Sequence, residues 1–170
     1  HFKDIPRLYG QTIGLISFGN VAKAVARRCH AFGLRVIAFD PFLGELEMTA
    51  VGVEPVTSLI ELCQRSDFLS MHAPLNAETQ HLMGEREFRA MKPTAIFINN
   101  GRGPTVDERA LTEALRQGWI AGAALDVFET EPVDTANALL AMDNVIVTPH
   151  IASATARMAP ETRRRLGREI

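Results

Sequence analysis

The segment from Thr12 to Asp40 limits what this chain can fold into more than any other. An apolar run, Thr12 to Ile16, meets a turn of small residues at Ser17-Phe18-Gly19-Asn20. Apolar or small residues then recur at Val21, Ala22, Val25, Ala26 and Cys29. That spacing belongs to a helix with one buried face, and Gly33 is a natural stop for it. A second apolar run, Leu34 to Phe39, closes on Asp40. Strand, turn, helix, strand is a βαβ unit, whose strands lie parallel. A helix that starts straight from a tight turn offers unpaired N–H groups and partial positive charge to an anion such as a pyrophosphate. A carboxylate closing the second strand can accept from ribose hydroxyls, and it favours NAD because it repels a 2′-phosphate. The dinucleotide turn asks for three glycines, and here its positions are Ser17, Gly19 and Ala22. Alanine still permits close packing at the third position, whereas Ser17 is a departure expected to alter the turn or its distance from a nucleotide. On the turn alone, a dinucleotide site and a crossover that binds nothing stay equally open.

The rest of the chain repeats the alternation. Short apolar runs at Val53–Val56, Asp67–Met71, Thr94–Asn99, Ile120–Val127 and Val145–Thr148 read as strands. Between them, helical patterns fall at Leu59–Arg65 with Thr57 or Ser58 as cap, at Glu85–Met91, and at Glu108–Gln117 with Asp107 as cap and Gly118 as stop. A helical turn is expected near Ala138–Met142. Ala152 to Ile170 reads as a basic helix, with Pro160 a possible start. Alternation of this kind predicts an α/β fold, a Rossmann-type doubly wound parallel sheet. Residues 11–157 form the expected domain, 1–10 a linker and 158–170 a helix leading away from it.

With 170 residues and 46% apolar content the chain can bury one sizeable core. A net charge of −2 gives no electrostatic reason to expect nucleic acid or an anionic membrane as partner. Cys29 and Cys63 are too few for a disulfide framework and lack metal-ligand spacing, so no metal is expected and a reducing cytoplasm fits. No apolar run is long enough for a membrane helix. The absence of an initiator Met and the helix-like end point to a piece of a longer protein.

In a doubly wound sheet, ligands sit beyond the C-terminal ends of the strands. Asp40, His72, Asn99, Asn100, Arg102, Asp126 and His150 all close or follow apolar strands, so they should converge on one rim. Each also has a plainer reading. Arg102 could be a solvated loop arginine, or, between Gly101 and Gly103, a fork for a ligand carboxylate. His150 could be a hydrogen-bonded structural histidine and Glu131 a surface charge. His72 reads as structural, and His30 and His81 have no assigned role.

Taken in order, several runs resemble one family. They are Ser66-Asp67-Phe68-Leu69-Ser70-Met71-His72-Ala73-Pro74-Leu75 with Glu78-Thr79; Met91-Lys92-Pro93 leading to Asn99-Asn100-Gly101-Arg102-Gly103; Val106-Asp107-Glu108; Ala121 to Glu129; Glu131-Pro132; and Asn144-Val145 through Thr148-Pro149-His150-Ile151. Over residues 8 to 157 the chain resembles the NAD-binding domain of the D-isomer-specific 2-hydroxyacid dehydrogenases, a group that includes phosphoglycerate and glyoxylate/hydroxypyruvate dehydrogenases and the C-terminal-binding-protein corepressors. The resemblance implies that Arg102 holds the substrate carboxylate and carbonyl, that His150 is the acid/base, and that Glu131 pairs with it. It implies that Gly19, Asn20 and Val21 form the pyrophosphate turn and that Asp40 holds the adenosine ribose. Ala73, Asn100, Gly101, Arg102, His150, Ala152 and Ser153 would line the cofactor cleft, and Asp126 would meet the nicotinamide carboxamide. Ser17 and Gly101 depart from the family pattern, which has glycine at the first and alanine or serine at the second.

The chemistry agrees with those roles. When a hydride reaches a 2-keto carbon, negative charge grows on the carbonyl oxygen. A protonated histidine can neutralise it, and the reverse reaction needs the same residue as base. An arginine can fix the carboxylate and stabilise the oxyanion. The expected function is therefore NAD-dependent interconversion of D-2-hydroxy acids and 2-keto acids, with NADP less favoured. A missing substrate domain would complete the cleft, so the chain alone is expected to bind NAD(H) and turn over poorly. A homodimer is the expected assembly. The alternative is an NAD(H)-sensing, corepressor-like interaction module.

Overall fold

A computed structural model describes residues 7–158 together with 160, 163 and 164. Its strands are β1 (Thr12–Ile16), β2 (Arg35–Phe39), β3 (Glu54–Pro55), β4 (Phe68–Met71), β5 (Ile96–Asn99), β6 (Gly122–Leu125) and β7 (Val145–Val147). They form one sheet in the order β3-β2-β1-β4-β5-β6-β7, with every neighbouring pair parallel. The helices are α1 (Asn20–Ala31), α2 (Glu45–Thr49), α3 (Leu59–Arg65), α4 (Glu85–Ala90) and α5 (Glu108–Arg116), with 3-10 turns at Gly103–Thr105 and Ala138–Ala141.

A parallel sheet must cover both faces, because its crossovers run over them. Here the two faces differ. The row Ile37, Leu69, Phe97, Ala123 is buried from end to end beneath Leu62 and Cys63 of α3, Phe88 of α4, and Leu111, Ala114 and Leu115 of α5. The adjacent row, Ala38, Leu15, Ser70, Ile98, Ala124, Ile146, faces the other way. Ala38 and Leu15 are sealed with Ala22 and Ala26 of α1 and Met48 of α2. Ile98 and Ala124 are only half-buried, and Ile146 on β7 is 70% exposed.

The helix ends follow the expected chemistry. Ser58 Oγ accepts from Glu61 N at 3.2 Å, while the Glu61 carboxylate accepts from Thr57 N and Thr57 Oγ1, closing a reciprocal cap. Asp107 Oδ1 accepts from Arg109 N and Ala110 N at the start of α5. Gly33 and Gly118 take positive φ, 75° and 68°, just past the ends of α1 and α5. Two expectations need correction. Strand six is shorter than Ile120–Val127. The segment expected to be helical from Ala152 is a series of turns as far as Arg157, in which Ala154 N donates to Ile151 O and Met158 N to Thr155 O as separate three-residue turns in place of a continuous helical ladder. Met158, Pro160, Arg163 and Arg164 are helical; the other residues of the expected 158–170 helix, and residues 1–6 of the expected linker, lie outside the described residues.

Gly14 is required in the middle of β1, where a Cβ would stand 2.1 Å from Ser66 Oγ and 3.1 Å from Leu62 and Leu69. Gly14→Ala is expected to cost about 1–3 kcal/mol in urea unfolding. Adding Ser66→Ala, which removes the nearest atom, should recover part of it.

His72 follows β4 and has Nε2 3.0 Å from Ser70 Oγ; burial pushes its pKa down to about 4. Between that value and about 6.5 the unfolded chain binds the extra proton. Stability from this residue is therefore complete above the unfolded value and is lost as the pH falls toward 4, by about 3 kcal/mol at most. Against wild type, His72→Asn should show a flatter loss of stability between pH 7 and 4; identical slopes would exclude His72 as the source.

Candidate functional site

The winding of the sheet reverses between β1 and β4, and the rim beyond that point is open. Gly19 caps α1 with φ −74° and ψ −170°, and a Cβ on it would meet no atom within 4 Å. No side chain caps α1, and its first turn carries no acid. The amides at Asn20 and Val21 therefore face the rim uncompensated, as an anion site requires. Val21 is 62% exposed.

Ser17 takes φ 69°, the left-handed conformation that a glycine would adopt there. The turn is kept, at a strain cost of about 1 kcal/mol or more. Ser17 Oγ donates to Asp40 Oδ2 at 3.1 Å, the same oxygen accepts from Phe18 N at 2.9 Å, and Asp40 Oδ1 accepts from Phe42 N at 2.9 Å. Asp40 thus ties the turn after β1 to the exit of β2. It lines a cavity of about 260 Å³ whose walls include Phe39, Phe42, Leu43, Pro74 and Leu82. An apolar slot with one carboxylate at its mouth suits a flat base carrying a ribose diol.

A second cleft, about 470 Å³, runs past Val21, His72, Ala73, Leu75, Asn100, Gly101 and Arg102. The Arg102 turn is built by Asn99, which is 1% exposed. Asn99 Oδ1 accepts from Gly101 N at 3.0 Å, and its Nδ2 donates to Arg102 O at 3.1 Å. A Cβ on Gly101 would lie 3.4 Å from Met71 O, an ordinary contact, so the departure at this position is not forced by packing. Gly103 is different, since a Cβ there would overlap the Phe128 carbonyl. The Arg102 turn is thereby pressed against the segment that carries Glu131.

His150 Nδ1 lies 2.7 Å from Glu131 Oε2, and Glu131 Oε1 accepts from Phe128 N at 3.0 Å. The hydrogen bond from His150, then that from Phe128, hold the Glu131 carboxyl below its ordinary range. An ionised carboxylate only accepts, so the histidine proton on this side sits on Nδ1 and Nε2 is left for other partners. His150 has φ 54°, and its N–H donates to Asp126 O at 2.8 Å and Thr148 O at 3.1 Å.

Asp126, 6% exposed, holds the same loop through its side chain. It accepts from Thr148 Oγ1 at 2.5 Å, Ile151 N at 2.9 Å and Ala152 N at 2.8 Å. Burial alone would raise its pKa, but these hydrogen bonds and the nearby His150 prevail and hold it below the usual carboxylate range. Arg102, Glu131 and His150 line one cavity of about 170 Å³ with Gly103, Phe128 and Glu129. Ala152 and Ser153 stand exposed in the turn beyond His150.

Asn99, expected on the rim, is buried and builds the Arg102 turn. One pairing escaped the sequence reading. His81, left without a role, has Nε2 2.7 Å from Glu129 Oε1, a pairing across distant segments that no local pattern reveals. Among the described residues no cluster of three His, Cys, Asp or Glu side chains could hold a metal ion, and no helix is long and apolar enough to cross a membrane.

The family model described as D-isomer specific 2-hydroxyacid dehydrogenase, NAD binding domain, matches residues 2–152. A glyoxylate reductase from Korarchaeum cryptofilum (strain OPF8) is 45% identical over 163 residues, which is 96% of this chain and 48% of that protein. Apo D-mandelate dehydrogenase from Rhodotorula graminis is similar with TM-score 0.89 and 35% identity, covering 95% of this chain and 47% of its own. D-lactate dehydrogenase with NAD+ from Lactobacillus jensenii is similar with TM-score 0.79 and 36% identity, covering 88% and 48%. The chain thus spans about half the length of these relatives. With its parallel sheet, open α1 terminus and strand-end polar residues, the chain belongs to the D-isomer-specific 2-hydroxyacid dehydrogenase family, as its NAD-binding domain.

Proposed function

We propose that the protein carrying this domain reduces small 2-keto acids to D-2-hydroxy acids and runs the reverse reaction, with Arg102, Glu131 and His150 around the reacting carbonyl. One observation carries the reading: these three residues line a single cavity, and Arg102 also lines the cleft beside the start of α1. Substrate and nicotinamide would then meet at Arg102.

Bound NADH supplies the hydride. The Asn20 and Val21 amides, behind Gly19, would take the pyrophosphate, and Asp40 the adenosine ribose. Ala73, Asn100, Gly101, Ala152 and Ser153 would border the dinucleotide. Asp126 holds the His150 loop, and its Oδ2, which accepts from Ala152 N, would be the oxygen to accept from a carboxamide. The guanidinium of Arg102 would grip the substrate carboxylate with its planar fork and keep a donor for the carbonyl oxygen. His150, oriented by Glu131 through Nδ1, would pass a proton at Nε2 to that oxygen as the charge develops, and take it back in oxidation. Dimerisation belongs to the same reading: the apolar row that ends at Ile146 supports a second copy as the cover for this face. The substrate side chain would be chosen largely by the remaining part of the protein.

Nicotinamide fluorescence during titration with NADH and NADPH tests the cleft. NADH should bind at least about tenfold more tightly, and Asp40→Ala should weaken NADH and narrow the preference, since one charged contact is worth about that factor. Tighter NADPH binding by the wild type would overturn the assignment of Asp40. In the full-length protein with glyoxylate, His150→Gln should lower kcat by about 10²–10⁴ with little change in KM. Arg102→Gln should raise KM and cut kcat/KM by about 10²–10³. An unchanged kcat in His150→Gln would refute the acid/base role.

A further inference from the structure

The cavity shared by Arg102, Glu131 and His150 is lined by a second acidic residue, Glu129, which the reaction above does not use. Glu129 has its own histidine, as Glu131 does. His81 Nε2 lies 2.7 Å from Glu129 Oε1. His81 stands in the segment after β4 with φ 50°, and its backbone N–H donates to Pro104 O at 2.9 Å. It is therefore bound by its main chain to the Arg102 turn and by its side chain to the segment that carries Glu131. Glu129 is also fixed from behind. Its Oε2 accepts from Glu108 N at 3.3 Å, and its backbone N–H donates to the Glu108 carboxylate, which also accepts from Asn137 Nδ2 at 2.9 Å. With a carboxylate as acceptor, the His81 ring nitrogen is the donor.

The charges around the cavity matter because the proposed substrate is an anion. Two carboxylates, Glu129 and Glu131, oppose one guanidinium, Arg102. Glu131 is answered by His150. If Glu129 were left bare, it would repel a carboxylate approaching Arg102 and would compete for the guanidinium. We propose that the His81–Glu129 pair is a positioning and charge-compensating element for the substrate anion: it keeps the Glu129 carboxylate turned to His81 and away from Arg102, and it fixes the Arg102 turn against the Glu131 segment. The proposal rests on the reading that Arg102 holds the substrate carboxylate. His81 touches none of the reacting atoms and acts through Glu129 and the Arg102 turn.

Steady-state kinetics of the full-length protein with glyoxylate and NADH tests it, with NADH affinity measured separately for each variant. His81→Ala should raise KM for glyoxylate about tenfold while kcat and the NADH Kd change less than twofold. Glu129→Gln added to His81→Ala removes the uncompensated charge and keeps an acceptor for Glu108 N, so it should return KM to within about threefold of wild type. That rescue separates charge compensation from scaffolding alone, which predicts a double variant at least as impaired as the single one. Unchanged KM in His81→Ala, failure of the double variant to recover, or a parallel loss of NADH affinity overturns the proposal. Arg102→Gln serves as the reference. If it raises KM while His81→Ala does not, this proposal fails alone; if it leaves KM unaltered, the reading of Arg102 fails and this proposal falls with it.

Discussion

β1 and β4 are hydrogen-bonded neighbours whose outgoing chains leave toward opposite faces of the sheet. α1 joins the cluster of Leu15 and Ala38, whereas α4 joins that of Leu69 and Phe97. Neither exit covers the strand ends, so the rim between them stays open. The two sides of this opening carry different chemistry. On the α1 side the donors are backbone amides, fixed in direction and charged only in part, which suits a bridging pyrophosphate. On the β5–β7 side the groups are ionisable side chains, Arg102, Asp126, Glu131 and His150. The topology thus separates a rim of backbone amides from a rim of ionisable side chains, and Arg102 lines clefts on both sides.

The carboxylates at this rim serve as brackets for loops. A loop folded against strand ends leaves backbone N–H groups without ladder partners, and each must be paired. An ionised carboxylate is the strongest acceptor available and can take several donors at once. Asp40 gathers Phe18 N, Phe42 N and Ser17 Oγ; Asp126 gathers Ile151 N, Ala152 N and Thr148 Oγ1; Glu131 takes His150 Nδ1 on one oxygen and Phe128 N on the other. His150 sits in a left-handed conformation worth about 1–3 kcal/mol of strain. It stays there because the carbonyl and the carboxylate of Asp126 hold the backbone on both sides of the ring. The same ties that stabilise the loops set the direction of the His150 ring.

How much of this could be read from the chain depends on the range of the interaction. Ser58, Asp107, Gly33 and Gly118 announce helix ends because a cap involves residues within one turn. The alternating apolar runs announce a parallel sheet, and the strand-end rule then collects Asp40, Asn99, Arg102, Asp126 and His150 at one rim. What stayed hidden was the pairing of groups brought together only by folding. His81 and Glu129 are 48 positions apart and no local pattern couples them. Of the two starts expected for the last helix, Ala152 and Pro160, the later one lies nearer the helical residues, and the turn at Ala152 is tied to Asp126, 26 positions away. The unequal faces were equally illegible. Ile98 and Ile146 look like core residues by composition, and only the register shows that they share a row that opens toward β7.

Ser17 shows how a departure from a motif can be absorbed and still leave a trace. The turn needs a positive φ at this position, and a residue with a Cβ adopts it only with strain. The compensation is the hydroxyl, which donates to Asp40 and joins the Phe18 amide on the same oxygen. The fold therefore loses little. The carboxylate that would receive the ribose, however, now has a fixed orientation and one more partner than a glycine at this position would give it. Any ribose hydroxyl must share Oδ2 with Ser17 or use Oδ1 beside the Phe42 amide. A glycine at this position would relax the backbone and release a lone pair on Asp40, but it would also free the carboxylate to turn. Preorganisation and acceptor capacity thus pull in opposite directions at a single atom, and Ser17 favours preorganisation.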